Sequence, residues 1–129
     1  MQVKTDTKEK FHVITVPGPS LSATMTDELS ECLLPYLQND ASTTKGNVRN
    51  IVLKLNEIST MDVQAGEKLI LLQQQFYENN TSFVICELQK PVEALLDQHN
   101  LLELMNVTPT ESEAWDIVQM EEIERELLE

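Results

Sequence analysis

The stretch from Asn50 to Asp62, NIVLKLNEISTMD, decides the fold. Its first half, Asn50 to Leu55, is an apolar run bounded by charge, which is typical of a central strand buried on both faces of a sheet. Residues Asn56 to Asp62 connect that strand to a helix. A strand that leads directly into a helix begins a crossover unit, so the stretch predicts a parallel sheet.

The helix after Asp62 is predicted from the spacing of its apolar residues. Intervals of four, three and four place these residues on one face of a helix that runs to about Asn79: Ala65, Leu69, Leu72 and Phe76. Asp62 is well placed as its N-cap, because a carboxylate at that position can accept hydrogen bonds from the first-turn amides.

Two short strands are predicted near the start of the chain, Gln2 to Asp6 and Phe11 to Val16. The charged residues Lys8 to Lys10 suit a hairpin turn between them, and the second strand stops at Pro17-Gly18-Pro19. This hairpin would add an antiparallel portion to the sheet. Further along, Asp40 to Val48 is predicted as a polar surface loop.

A helix from about Met25 to Gln38 is predicted after the hairpin, with Thr24 or Thr26 as its N-cap. Pro35 lies late in this segment, so we expect it to kink the helix or to end it early. The inward stripe of the helix is expected to consist of Leu29, Cys32, Leu33 and Tyr36 or Leu37.

Strands and helices continue to alternate downstream. Ser82 to Leu88 is a second apolar strand, Pro91 opens a short helix through about Gln98, and Leu102 to Val107 gives a brief strand before Pro109. The expected architecture is α/β, with a mixed, mostly parallel sheet of about five strands and about four helices. Length and composition predict one domain over residues 1–129.

The final segment is predicted as a helix from about Glu111 to Leu128, in which Thr110 and Glu113 fit a capping box. From Glu111 to Glu129, eight acidic residues against Arg125 alone give a charge of about −7. It is either a fraying, solvated tail or an acidic docking edge. Its apolar stripe contains Ala114, Ile117, Met120, Ile123 and Leu127.

The net charge of the whole chain limits the classes of partner that it is expected to bind. The 129 residues include 22 acidic and nine basic side chains, for a net charge of −13. Nucleic acid and anionic membrane surfaces are held chiefly by clustered Lys and Arg, so neither is expected as a partner. The sequence has neither a signal peptide pattern nor an apolar segment long enough for membrane insertion, which predicts a cytoplasmic protein.

Residues that could carry out catalysis are scarce. His12 and His99 lack any zinc-ligand spacing, and three glycines form no common phosphate-binding loop, so we expect no metal and no cofactor. Cys32 and Cys86 lie in apolar runs and are expected to be reduced and buried. Trp115 is interpreted as a packing residue, although an exposed Trp would suggest a binding hot spot.

The motifs, taken in order, resemble those of the STAS family, which includes bacterial anti-sigma factor antagonists and the cytoplasmic ends of sulphate transporters. The likeness covers about residues 50 to 115. It consists of NIVLKLNEISTMD, the strand Ser82 to Leu88, PVEALL at Pro91 to Leu96, and PTESEA at Pro109 to Ala114. The N-terminal third fits the family in pattern only.

The resemblance implies a non-enzymatic switch. In this family the dephosphorylated antagonist binds a kinase-like anti-sigma factor, and phosphorylation of the Ser after the conserved Asp breaks the contact. Asp62 matches that Asp, but Val63 follows it and has no hydroxyl, which excludes phosphorylation at the usual position. Two further departures are Ala65 in place of Gly, and Pro19-Ser20-Leu21 in place of the acidic residue after the second strand.

The expected function is therefore a protein interaction module whose contact surface lies at the strand-to-helix turn. The predicted contact residues are Ser59, Thr60, Asp62, Val63, Gln64 and Gly66. Ser59 and Thr60 are the nearest remaining hydroxyls for modification, and for Asp62 a capping role and a docking role stay open. The expected partner is an anti-sigma factor, a kinase-like protein or another STAS chain, and a homo-oligomer stays open.

Two alternatives remain at this point. One is a STAS subunit of a membrane-associated transport complex, in which the domain stabilises an ATPase. The other is an enzyme that binds a small ligand or nucleotide at the carboxyl ends of the strands, where open α/β sheets usually meet their ligands. The lack of any catalytic cluster in the sequence disfavours this second alternative.

Overall fold

The computed structural model describes residues 2–38 and 49–128. The strands are β1 (Lys4–Thr7), β2 (Phe11–Thr15), β3 (Ser20–Leu21), β4 (Asn50–Lys54), β5 (Thr60–Met61), β6 (Phe83–Cys86) and β7 (Val107–Thr108). The helices are α1 (Ala23–Leu33), α2 (Val63–Glu78), α3 (Lys90–Gln98) and α4 (Glu111–Leu128). Two short 3₁₀ segments, Leu34–Gln38 and Leu102–Leu104, follow α1 and α3.

Five of these strands form one mixed sheet in the order β1-β2-β4-β6-β7. β1 runs antiparallel to β2, and every other pair is parallel. β4 occupies the middle, where Val52 pairs with Val13 on one side and with Val84 on the other. The predicted α/β class, the N-terminal hairpin and the buried central strand are confirmed.

Alternation along the strands divides the core into two layers, because successive side chains of a strand point to opposite faces. Ile51 and Leu53 join a large cluster with the helices α1, α2 and α3. Val52 points the other way and packs with Ala114 and Val118 of α4. The sheet is thus covered on one face by three helices and on the other by α4.

The first helix begins earlier than its predicted start. Ser22 is the N-cap, and its Oγ accepts a hydrogen bond from the backbone N–H of Met25 at 3.2 Å. The predicted caps Thr24 and Thr26 are wrong, since both lie inside α1 and the Thr26 hydroxyl donates to the Ser22 carbonyl. The α-helix ends at Leu33, which confirms the expected effect of Pro35.

Three further expectations need correction or lie outside the described residues. Cys32 is exposed, so it is not part of the inward stripe, whereas Leu29 and Leu33 are buried. The strand predicted over Leu102 to Val107 is wrong over most of its length, because amides at its start donate back to carbonyls three residues earlier, in 3₁₀ geometry. The predicted loop over 40–48 lies outside the described residues.

The last helix has the predicted bounds, and Thr110 supplies one half of the capping box by accepting the Glu113 N–H at 3.2 Å. Its apolar stripe is buried only at the start, at Ala114. Steps of three residues fall about 60° short of a full turn, so the stripe moves around the helix and away from the sheet. Three of its members are exposed as a result: Met120, Ile123 and Leu127.

Candidate protein-binding site

Two short segments from distant parts of the chain form a hydrogen-bonded corner at the start of α2. The corner consists of residues 19–23 and 59–64. β3 and β5 pair in parallel within it, with Ser20 opposite Thr60. The Pro19 carbonyl accepts the backbone N–H of Ser59 at 2.7 Å and that of Thr60 at 3.2 Å. These bonds fix the backbone of the corner.

The two hydroxyl groups predicted as modification candidates both take part in the corner. Ser59 Oγ donates to the Pro19 carbonyl at 3.2 Å. Thr60 Oγ1 donates to Ser20 Oγ at 2.9 Å. Ser59 is half-buried and Thr60 is exposed. Both hydroxyls therefore lie at or near the protein surface while they bond the two halves of the corner together.

Asp62 joins the two halves of the corner instead of capping its own helix. It occupies the N-cap position of α2, but its side chain makes no cap hydrogen bond. The carboxylate Oδ2 instead accepts the backbone N–H of Ala23 at 3.4 Å, and the Asp62 N–H donates to the Leu21 carbonyl at 3.2 Å. The predicted side-chain cap is therefore wrong, and the exposed carboxylate lies between the first turns of α1 and α2.

The other predicted contact residues differ in accessibility. Gln64 is exposed and Val63 is half-buried on the first turn of α2. Gly66 is buried, and a Cβ on it would lie 2.7 Å from Leu96 Cδ2 and 3.1 Å from Leu101 Cδ1. In this chain, Gly66 lets the segment from α3 to Leu101 pack closely on α2 and lies beneath the surface.

Sequence reasoning missed the first half of the corner, residues 19–23. The sequence signal for it is Pro17-Gly18-Pro19, which marks the end of a strand and also a close approach of the backbone. A Cβ on Gly18 would lie 1.7 Å from the carbonyl oxygen of Glu57, so the two segments approach at a distance that only glycine permits. Close backbone approach thus explains why glycine stands at that position.

In the part of the chain that the structure describes, the histidines and cysteines lie apart from any cluster of metal-ligating side chains. His12 Nδ1 lies 2.8 Å from the Thr7 hydroxyl, and its ring centroid lies 4.5 Å from that of Tyr36. Burial raises the pKa of the Cys86 thiol to about 12, which keeps it protonated and unreactive at neutral pH. Within residues 2–38 and 49–128, no cluster of three or more His, Cys, Asp or Glu side chains could hold a metal ion.

The remaining surfaces of the described ranges add two observations. Trp115 packs on Phe11, with ring centroids 5.4 Å apart, as expected of a packing residue. No helix in the described part of the chain is both long and apolar enough to cross a bilayer.

The family model for the STAS domain matches residues 2–114. The chain belongs to the STAS family. No curated protein sequence matches it. The family match extends the resemblance found in residues 50 to 115 across the N-terminal third, where the hairpin and α1 lie.

Solved structures of STAS domains share the fold at low sequence identity. An anti-sigma factor antagonist (STAS) domain protein from Planctomyces limnophilus is 16% identical with a TM-score of 0.72, over 91% of this chain and 97% of that one. The anti-sigma factor antagonist SpoIIAA in its unphosphorylated form is 16% identical with a TM-score of 0.68, over 92% and 96% of the two chains.

A membrane transporter contains a similar domain. The murine anion transporter Slc26a9 is 14% identical with a TM-score of 0.68, over 86% of this chain but only 18% of the transporter. The STAS fold therefore occurs both as a separate protein and as a small part of a much larger one.

Proposed function

We propose that this STAS domain is a non-enzymatic protein interaction module of the anti-sigma factor antagonist type, and that it binds its partner at the corner. The observation that carries the proposal is the arrangement of Asp62, Val63 and Gln64. They line an accessible, hydrogen-bonded surface at the position where the family places its regulatory Ser. A preformed surface needs little ordering on binding, which favours association.

The contact surface in this proposal has two halves. One is Ser59 to Gln64; Gly66 is left out because it is buried. The other is Pro19 and Ser20, which are exposed beside Thr60. Exposed polar groups surround the single carboxylate of Asp62, so the fitting partner presents hydrogen-bond donors and one cation. An anti-sigma factor, a kinase-like protein or another STAS chain can supply such a surface.

Regulation is expected to differ from that of family members that carry the Ser. Val63 has no oxygen to receive a phosphoryl group, so a kinase cannot place a dianion at the first turn of α2. In the proposed module, binding is therefore constitutive with respect to this position. Any modification at Ser59 or Thr60 would first have to break a hydrogen bond to Pro19 or Ser20.

The proposal is tested by recovering partners from the native cell extract and comparing two charge reversals. Asp62→Lys should weaken the recovered complex by at least about tenfold, because it places a cation against a surface that fits a carboxylate. Asp97→Lys, on an exposed residue near the end of α3, should leave binding unchanged. Equal binding by both variants would show that the corner is not the interface.

Phosphorylation is tested separately with the recovered kinase-like partner and labelled ATP. The natural chain should incorporate no phosphate at residue 63, whereas Val63→Ser should accept it and then release the partner. Release of the unmodified Val63→Ser variant would instead point to a requirement for the valine side chain in binding.

A second candidate function is association with a membrane transport complex, as a subunit that stabilises an ATPase. The fold likeness to a domain of the Slc26a9 anion transporter favours it. In that case the recovered partner would sediment with the membrane fraction and would include an ATPase subunit. Recovery of the partner from the soluble fraction would favour the anti-sigma factor antagonist type.

A further inference from the structure

In the second half of α4, three polar side chains contact the body of the protein, while three large apolar side chains are exposed to solvent. This is the reverse of an ordinary surface helix, which buries its apolar stripe. This half, residues 119–127, follows Val118, which is fully buried.

Polar contacts hold this half of the helix in place. Tyr77 Oη donates to the Glu121 carboxylate at 2.9 Å. Asn50 Nδ2 donates to Glu122 Oε1 at 2.7 Å, and Arg125 Nη2 donates to the same oxygen at 2.9 Å and to Ser82 Oγ at 2.9 Å. These bonds fix which side of the helix faces outward.

Three large apolar side chains are left on the outer side. Met120 is 59% exposed, Ile123 55% and Leu127 79%. Their spacing of three and four residues places them on one face of the helix, where they form a continuous stripe. Scattered exposed apolar residues are normal on a protein surface, but a contiguous apolar stripe with a polar rim marks an interaction site.

Carboxylates surround this stripe. The exposed acidic residues on or beside the same face are Glu113, Asp116, Glu124 and Glu126. Arg125 points inward to Ser82 and Glu122. Glu9 and Lys10, from the β1–β2 turn, line the shallow groove beside Ile123, so this turn adds one carboxylate and one cation to the acidic surroundings of the stripe.

The charge pattern selects among possible occupants. A second copy of this chain would bring two sets of carboxylates together around the apolar stripes, and like charges at an interface oppose association. An anionic membrane surface would be repelled in the same way. A helix with apolar residues at matching intervals and Lys or Arg on its flanks would bury the stripe and pair with the carboxylates.

We propose that this outer face of α4, defined by Met120, Ile123 and Leu127 with the four flanking carboxylates, docks a basic amphipathic helix of a partner protein. The face lies on the opposite side of the sheet from α2 and from the corner. One chain could thus bind a partner at each surface, and the two associations can be tested independently.

The test uses the full chain and a defined probe, a fluorescein-labelled 18-residue amphipathic peptide made of Leu and Lys, with affinity measured by fluorescence anisotropy. The double variant Ile123→Gln/Leu127→Gln should weaken binding by about tenfold or more. A matched control, Leu71→Gln/Leu104→Gln, removes two apolar side chains that are 59% and 56% exposed elsewhere on the surface. It should bind the probe like the natural chain.

A second double variant tests whether the flanking carboxylates contribute to binding. Asp116→Asn/Glu124→Gln should also weaken binding, and it should reduce the salt dependence of the dissociation constant. A peptide with Glu in place of Lys should not bind. Thermal melts of all variants should coincide with that of the natural chain, because every substituted side chain is exposed.

Several outcomes would overturn the proposal. Equal weakening by Leu71→Gln/Leu104→Gln and Ile123→Gln/Leu127→Gln would mean that the probe binds nonspecifically to exposed apolar side chains. Binding of the Glu peptide would mean that the carboxylates do not select a basic partner. A dimer seen by analytical ultracentrifugation and lost in Ile123→Gln/Leu127→Gln would identify a second copy as the occupant. Binding of phosphatidylcholine–phosphatidylglycerol vesicles through the same residues would identify a lipid surface.

Discussion

The carboxylate of Asp62 accepts a hydrogen bond from the backbone N–H of Ala23, 39 residues earlier in the chain, with Oδ2 3.4 Å from the amide nitrogen. Asp62 therefore connects the start of α2 to the start of α1. The first turn of α2 is left without a side-chain cap, and the carboxylate stays exposed at the surface proposed to bind a partner.

The two N-cap positions should respond differently to substitution. Ser22→Ala should lower the free energy of unfolding by about 1 kcal/mol, because it removes the hydrogen bond to the Met25 N–H. Asp62→Ala should lower it by no more than about 0.5 kcal/mol, since it removes a long, exposed hydrogen bond and a weak interaction with the helix dipole. Urea unfolding measures both values, and an equal loss would restore the predicted capping role of Asp62.

Two glycines near the corner should tolerate a methyl group unequally. Gly18→Ala should destabilise the fold by about 3 kcal/mol, because the added Cβ would meet the Glu57 backbone carbonyl at 1.7 Å. In Gly66→Ala the Cβ meets the ends of the Leu96 and Leu101 side chains, and the helix gains about 1 kcal/mol of propensity.

The net loss in Gly66→Ala should therefore be smaller, about 1 kcal/mol. Adding Leu96→Val should recover part of it by making room for the methyl group. Thermal unfolding of the three variants provides the comparison. A Gly18→Ala variant as stable as the natural chain would contradict the close approach of the two segments.

The two cysteines should differ sharply in reactivity. Cys32 is exposed on α1, whereas Cys86 is buried and its thiol pKa is raised to about 12. A disulfide reagent such as dithionitrobenzoate should modify one thiol per native chain and two in denaturant. Cys32→Ser should abolish the native reaction, and Cys86→Ala should preserve it. Rapid modification of both thiols in the native chain would contradict the burial of Cys86.

Acid should weaken the attachment of α4 through Glu122. Burial opposes ionisation of this carboxyl, but hydrogen bonds from Asn50 and Arg125 outweigh that effect and hold its pKa below the ordinary value. A depressed pKa means that ionised Glu122 stabilises the fold at neutral pH, and that this contribution is lost as the pH falls from about 5 into the acid range.

Glu122→Gln should therefore reduce the free energy of unfolding at pH 7 by about 1 to 2 kcal/mol. The difference from the natural chain should shrink as the pH is lowered through that range. Glu124→Gln, on the outer side of the same helix, controls for the change in net charge. A difference that stays constant down to pH 2 would argue against the network around Asn50.

Local spacing was enough to predict the main elements and the sheet. The apolar runs of β4 and β6 and the four-three-four face of α2 are short-range patterns, and each element buries the residues that its own period places inward. The same reasoning located the start of α2 and the absence of a hydroxyl at Val63. Both follow from residue order and require no knowledge of packing.

Contacts between distant segments could not be predicted in this way. The β3–β5 pair joins residues 40 positions apart through two-residue strands, which are too short to carry a detectable alternation. Gly66 was predicted as a contact residue, but its position under Leu96 and Leu101 depends on where the segment from α3 to Leu101 packs. Asp62 has the position of a cap, yet its carboxylate accepts a hydrogen bond from the backbone N–H of Ala23 instead.

The sequence by itself determined the longer strands of the sheet, the four helices and the missing phosphorylation site, because hydrophobic period and side-chain chemistry are properties of neighbouring residues. Only the tertiary structure decided which side of α4 faces outward. Hydrogen bonds join Glu121, Glu122 and Arg125 of α4 to three other parts of the chain. Their partners are Tyr77, Asn50 and Ser82, respectively. Those hydrogen bonds hold Glu121, Glu122 and Arg125 against the body of the protein and leave Met120, Ile123 and Leu127 exposed to solvent.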